Sequence, residues 1–145
     1  MATVNVYLTF KGNCKAAFEF YQSVFGGEFP YMGTFGEMPP QEGQPPLSAD
    51  DAAKIMHVTL PISKETCLMG SDTFGAYDAT LIAGNNYAVS INAETKEEAD
   101  RLFNGLSVGG TVTMPLADTF WGAYFGMFTD KFGIHWMVNY DAPKA

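Results

Sequence analysis

Histidine, cysteine and basic side chains are all scarce in this sequence, and each shortage closes off a class of function. Only 8 lysines and arginines stand against 16 aspartates and glutamates, which leaves a net charge of −8. Such a chain offers no basic stripe for a nucleic-acid backbone or an anionic membrane surface, so neither partner is expected. Cys14 and Cys67 are the two cysteines, 53 positions apart and without a CxxC motif. That usage fits a reducing cytoplasm and two buried thiols rather than a catalytic one. No apolar run approaches the roughly 20 residues of a membrane helix. Residues 1–10, MATVNVYLTF, lack the basic start and apolar run of a secretory leader. A cytoplasmic location is therefore expected. There is no Ser/His/Asp set, no phosphate loop, and no glycine-rich loop placed to bind an adenosyl cofactor.

What is abundant is apolar and aromatic. The 145 residues are 47% hydrophobic and 17% charged, enough for one domain with a real core or two halves sharing one. The densest stretch is Thr119–Asn139, TFWGAYFGMFTDKFGIHWMVN, with seven Phe, Trp or Tyr residues. It reads as strands Trp121–Thr129 and Ile134–Asn139 joined by a turn at Asp130–Gly133. A hairpin so aromatic needs cover on one face and is expected to line a cavity on the other. Gly122 and Gly126 mark a bend or a close approach by a ligand or another backbone.

The rest of the chain repeats one plan twice. Val4–Phe10 alternates as a strand, with Val4, Val6, Leu8 and Phe10 on the helix side and Asn5, Tyr7 and Thr9 opposite. Asn13 is placed to cap a helix whose buried stripe is Cys14, Ala17, Phe18, Tyr21 and Phe25. Gly26-Gly27 stops it, and strands are expected over Glu28–Gly36, Ile55–Ile62 and Thr66–Ser71. Between them, residues 37–53 hold four prolines and four acids, which suits a lid, a partner-binding arm or a disordered loop. Asp72–Asn85 reads as the link. The second half gives a strand at Tyr87–Asn92 and a capping box at Thr95 and Glu98. A helix with stripe Ala99, Leu102, Phe103 and Leu106 follows, then a Gly109-Gly110 stop and a strand at Thr111–Pro115. Phe20, Gly26 and Gly27 recur as Phe103, Gly109 and Gly110 at a constant offset of 83. The expected class is α+β, with two βαβββ modules of about 1–80 and 86–145.

That duplicated order, with Tyr7-Leu8-Thr9-Phe10, Gly12-Asn13-Cys14, Phe35-Gly36-Glu37-Met38-Pro39, His57, Met69-Gly70-Ser71-Asp72 and the aromatic hairpin, carries a resemblance. The sequence resembles the vicinal oxygen chelate superfamily of glyoxalases, bleomycin-resistance proteins and dioxygenases. Within it the chain is similar to the PhnB-like branch, once labelled demethylubiquinone-methyltransferase-like. The resemblance implies a single domain whose two modules curl mixed sheets around a shared cleft, and a homodimer. Metal enzymes of the superfamily hold their ion through one His, Gln or Glu on each of four strands. Those places fall here near Asn5, within Cys67–Met69, near Asn86–Tyr87 and at Met137. Asn is a neutral amide and Met a soft thioether, so no set of three good ligands survives, and no metal or other cofactor is expected.

Candidate site residues follow from the strand faces. His57, in an apolar strand, is the candidate catalytic base or hydrogen-bond donor, because imidazole titrates near neutrality. Asn5, Tyr7, Trp121, Phe125, His135 and Met137 are the candidate small-molecule contacts. Glu37 and Asp72 are candidate acids at a mouth. Two functions compete: a metal-independent small-molecule-binding protein of the bleomycin-resistance type, and a lyase, isomerase or dioxygenase. A partner-binding dimer is a third reading, since aromatic surface also makes interfaces.

Overall fold

The computed structural model describes residues 2–39 and 42–143. It divides into two compact units, Met1–Ile82 and Ala83–Ala145.

The first unit runs β1 (Val6–Phe10), α1 (Cys14–Phe25), β2 (Tyr31–Thr34), α2 (Ala49–Ala53), β3 (Ile55–Pro61) and β4 (Cys67–Asp72). The sheet order is β1-β4-β3-β2, with β1 parallel to β4 and the other pairs antiparallel. Alternation sorts the side chains as the sequence requires. Leu8 and Phe10 on β1, Val58 and Leu60 on β3, and Leu68 on β4 are buried. Against them lie Cys14, Ala17, Phe18 and Tyr21 of α1, all fully buried; Phe25, expected in the same stripe, is only half-buried at the last position of the helix. Gly70 lets the helix come close: a Cβ there would meet Phe18 at 2.6 Å and the Leu8 carbonyl at 2.8 Å. Each large side chain buried this way contributes about 1.5–3 kcal/mol.

The start of α1 corrects the sequence reading. Asn13 occupies the cap position but its side chain makes no capping bond. Asp72, 58 residues away, does that work: its Oδ1 accepts from Gly12 N at 2.8 Å and Cys14 N at 2.9 Å, and its Oδ2 from Ile55 N at 2.9 Å. The proline-rich stretch also differs from expectation at its end. Ser48 accepts from Asp51 N and starts the short helix α2, while residues 42–48 are exposed. Pro40 and Gln41 of that stretch lie outside the described residues. The strand expected over Glu28–Gly36 shrinks to four residues: it begins only at Tyr31, and Phe35–Glu37 turns into a 3₁₀ segment.

The second unit runs β5 (Val89–Asn92), α3 (Lys96–Leu106), β6 (Thr111–Asp118), β7 (Ala123–Thr129) and β8 (His135–Asp141), in sheet order β5-β8-β7-β6. Its pattern of one parallel and two antiparallel pairs matches the first unit. Thr95 caps α3 by accepting from Glu98 N at 3.0 Å, and Glu98 answers to the Glu94 N–H, one residue earlier than a strict capping box. The expected stripe Ala99, Leu102, Phe103 and Leu106 is buried in full. Phe128, Trp136 and Val138 of the β7–β8 hairpin cover it from the sheet side. Gly126 belongs to this packing: a Cβ there would meet Phe103 at 2.7 Å and the Leu116 backbone at 2.8 Å. At the hairpin turn Gly133 has φ +89°, the left-handed geometry expected of it. Asp130 is buried there and accepts from Phe132 N, Ile134 N and, at 2.8 Å, Trp136 Nε1.

Candidate functional site

With α1 on one side of the first sheet, its other side carries Tyr7, His57, Thr59 and Met69, together with Tyr31 on the edge strand. Register brings them together: Tyr7 and Thr59 both pair with Met69, and Tyr31 pairs with Thr59. His57 lies between two tyrosines, with ring centroids 5.8 Å from Tyr7 and 5.9 Å from Tyr31. Tyr31 reaches it by lying over Gly33, where any Cβ would collide with the phenol ring. The His57 Nε2 is 3.0 Å from Thr59 Oγ1, and its Nδ1 makes no hydrogen bond among the described residues. Asn5 sits at the head of β1, where its Oδ1 accepts from Cys67 N at 3.1 Å. The strand positions on this side bear no Lys, Arg, Asp or Glu side chain.

One end of this side deepens into a cavity of about 330 Å³ lined by Thr9, Ser71, Asp72, Thr73, Phe74, Tyr77, Thr80 and Leu81. Its outer wall is the 3₁₀ segment Gly75–Thr80, which buries no residue of its own. The wall is held by Thr73 donating to Asp78 Oδ1 at 2.5 Å, by Lys54 Nζ 3.8 Å from Asp78 Oδ2, and by Phe74 packed 4.5 Å from Phe35. Lys54 also pairs with Asp51 at 3.0 Å; the hydrogen bond to Asp51 is the main reason its ammonium is held above the ordinary lysine range.

In the second unit the corresponding side bears Phe125, Met127, Thr129, His135, Met137 and Asn139. Phe125 pairs with Asn139, Met127 with Met137 and Thr129 with His135. His135 is fully engaged: Nδ1 is 2.9 Å from Thr129 Oγ1, Nε2 is 3.0 Å from the Gly84 carbonyl, and Tyr87 packs edge-on at 5.2 Å. A carbonyl only accepts, so Nε2 carries the hydrogen that reaches Gly84. The ring thus ties residues 84–87 to β8. Trp121 stands before β7, 54% exposed, 5.1 Å from the almost fully exposed Phe120 and 5.9 Å from Phe125. Gly122, with φ +89°, makes the bend there.

The structure thus places Tyr7 with His57, and Trp121 with Phe125. The two candidate acids stand in different surroundings. Asp72 is buried and capped by three backbone N–H groups, and Glu37 is exposed on a 3₁₀ turn. Tyr31, Thr59 and Tyr87 were missed by sequence reasoning. The signal for Tyr31 was the glycine two positions later, since such a strand glycine leaves room for a neighbouring ring.

Neither unit suits the metal of the superfamily's enzymes. In the first, the Asn5 oxygen is spent on a backbone N–H, and Cys67 has no second ligand of its kind beside it. In the second, both His135 nitrogens are bonded within the chain, and Met137, two positions along the same strand, offers only a thioether. Among the described residues no three His, Cys, Asp or Glu side chains converge as a metal cluster. The donor set does not fit the ion.

Comparison with known proteins agrees with this architecture. The chain is 33% identical over 145 residues to protein YjdN of Escherichia coli K12, covering 92% of this chain and 91% of that one. Protein PA1353 from Pseudomonas aeruginosa superposes with a TM-score of 0.80 at 40% identity, covering 97% of this chain and 98% of the other. A PhnB protein from Bacillus cereus shares the fold with a TM-score of 0.72 at 24% identity, over 96% and 99% of the two chains. No helix of the described residues is long and apolar enough to cross a membrane. The model of the Glyoxalase/Bleomycin resistance protein/Dioxygenase superfamily matches residues 3–138, and the chain belongs to that superfamily.

Proposed function

We propose that this is a PhnB-like small-molecule-binding protein that works without a catalytic metal, and that the His57 side of the first sheet is its ligand face. The observation that carries the reading is His57 between Tyr7 and Tyr31 with an uncommitted Nδ1. Two ring faces supply apolar contact area, and one free nitrogen supplies a directional hydrogen bond. On the second unit's own face, Trp121, Phe125 and Met137 are the proposed small-molecule contacts. The two units act as one PhnB-like domain in a cytoplasmic homodimer. The edge strand β6, exposed along nearly its whole length, is a surface that a second copy would cover. The net charge of −8 speaks against nucleic acid and membrane.

A ligand at free concentration L that binds only the folded state raises its stability by RT ln(1 + L/Kd), so the effect grows with concentration and affinity. Thermal-shift screening of uncharged aromatic compounds should yield stabilisers whose effect disappears in Tyr7→Ala and in His57→Gln. Stabilisers that act equally on both variants would place the site elsewhere. The same free Nδ1 favours a second reading, a lyase or isomerase with His57 as general base. A turnover that persists in His57→Gln from pH 5 to 8 would remove it.

A further inference from the structure

The cavity at the end of the ligand face has a chemistry of its own. Its floor is Thr9 and Ser71, direct partners on the parallel strands β1 and β4. Neither hydroxyl is hydrogen-bonded among the described residues, nor is the phenol of the exposed Tyr77, whereas the other two lining threonines are engaged. Thr73 donates to Asp78, and Thr80 donates to the Tyr77 carbonyl at 2.8 Å. The one carboxylate in the lining, Asp72, has both oxygens occupied by backbone N–H groups. Asp78, just outside, is shared between Thr73 and Lys54. No uncommitted charge of either sign faces the space. The lining also holds two aromatic rings, Phe74 and Tyr77, centred 6.0 Å apart.

We infer that this cavity is the anchoring subsite of the ligand face and takes an uncharged aromatic ring bearing an amide or hydroxyl group. The inference rests on the reading of that face as ligand-binding. Each of two adjacent hydroxyls both donates and accepts, which matches the paired C=O and N–H of a primary amide. The ring then packs on Phe74 and Tyr77. A carboxylate would shed water without gaining a cation, and an ammonium would find no free anion. The volume of about 330 Å³ lies at the small end of ligand pockets and leaves room for such a ring.

Three nearly isosteric probes test this on the full chain: benzamide, benzoate and benzylammonium, followed by amide chemical shifts. Benzamide should move the Ser71, Thr73 and Tyr77 signals along a saturable curve, at about millimolar affinity for so small a ligand. Benzoate and benzylammonium should bind at least about tenfold more weakly. Thr9→Val combined with Ser71→Ala should weaken benzamide by about tenfold, the effect of losing two net hydrogen bonds of modest strength. Tyr77→Ala, at an exposed position, gives the same test from the wall should the double variant fold poorly. Benzoate binding as tightly as benzamide, an absence of saturable shifts at the cavity, or benzamide affinity unchanged in these variants would overturn the inference. The two readings fail separately. If cavity shifts persist while His57→Gln changes nothing for any ligand, the His57 face is wrong and the cavity stands. If a ligand that depends on His57 ignores Thr9→Val/Ser71→Ala, the cavity is wrong and the face stands.

Discussion

Replacing Asp72 by asparagine should destabilise the protein by about 3 kcal/mol while leaving the surface of the ligand face intact. The carboxylate holds three backbone N–H groups from two separate segments: the β1–α1 turn with the first residue of α1, and the start of β3. Asparagine offers one carbonyl oxygen. If that oxygen keeps Gly12 and Cys14, its NH₂ faces the Ile55 N–H, and a buried donor is left without an acceptor. An orphaned buried group costs about 1–3 kcal/mol. Loss of the negative charge at the N-terminus of α1 adds about 0.5–1 kcal/mol. Urea unfolding followed by circular dichroism reads this as a lower midpoint at unchanged slope. In a chain of this size the loss corresponds to a fall in melting temperature of about 10 °C. A change below about 0.5 kcal/mol accompanied by loss of ligand binding would refute the reasoning and return Asp72 to the role of a functional acid.

The two tryptophans should behave oppositely. Trp121→Ala, at a half-exposed ring, should cost under about 1 kcal/mol, whereas Trp136→Phe removes the buried Asp130 bond and should cost about 2–3 kcal/mol by the same unfolding assay. A thiol reagent should modify Cys67 in the native protein and Cys14 only on unfolding, because burial, reinforced by the Asp72 charge, raises the Cys14 thiol and hides it. Equal native reactivity of both would contradict the packing of α1. The Tyr124 phenol is pushed up to about 12, first by its hydrogen bond to Asp100 and then by burial and the charges of Asp100 and Asp118. Its contribution to stability is therefore complete below the ordinary value of 10.0 and is lost as the pH climbs from there through about 12. Phenolate absorbance in wild type and Asp100→Asn would show it, the variant titrating earlier.

Much of the fold was legible because periodicity and burial are the same physics. The stripe Ala99, Leu102, Phe103 and Leu106 is buried as written, and the in–out alternation of Ile134 to Asn139 is reproduced residue by residue. What was illegible depends on partners distant in the chain. Asp72 read as an acid at a mouth and Asp130 as a turn residue, yet both are buried acceptors, and nothing local in sequence announces a cap 58 residues away. Asn13 failed as a cap for the same reason, since a carboxylate already held the N–H groups. The candidate face was legible only where it rests on strand parity. Strand parity put Tyr7 and His57 on one side, but Tyr31 joins them only through the antiparallel register of β2 with β3 and the absence of a Cβ at Gly33.

With only two histidines in the chain, their ring C–H resonances distinguish the two units directly. Addition of stabilising uncharged aromatic ligands should shift the His57 resonance, which His57→Gln identifies by its disappearance. The His135 resonance, from a ring bonded at both nitrogens, should stay in place. Ligands that move His135 alone, or bind without touching His57, would contradict the assignment of the Tyr7–His57–Tyr31 surface as the ligand face.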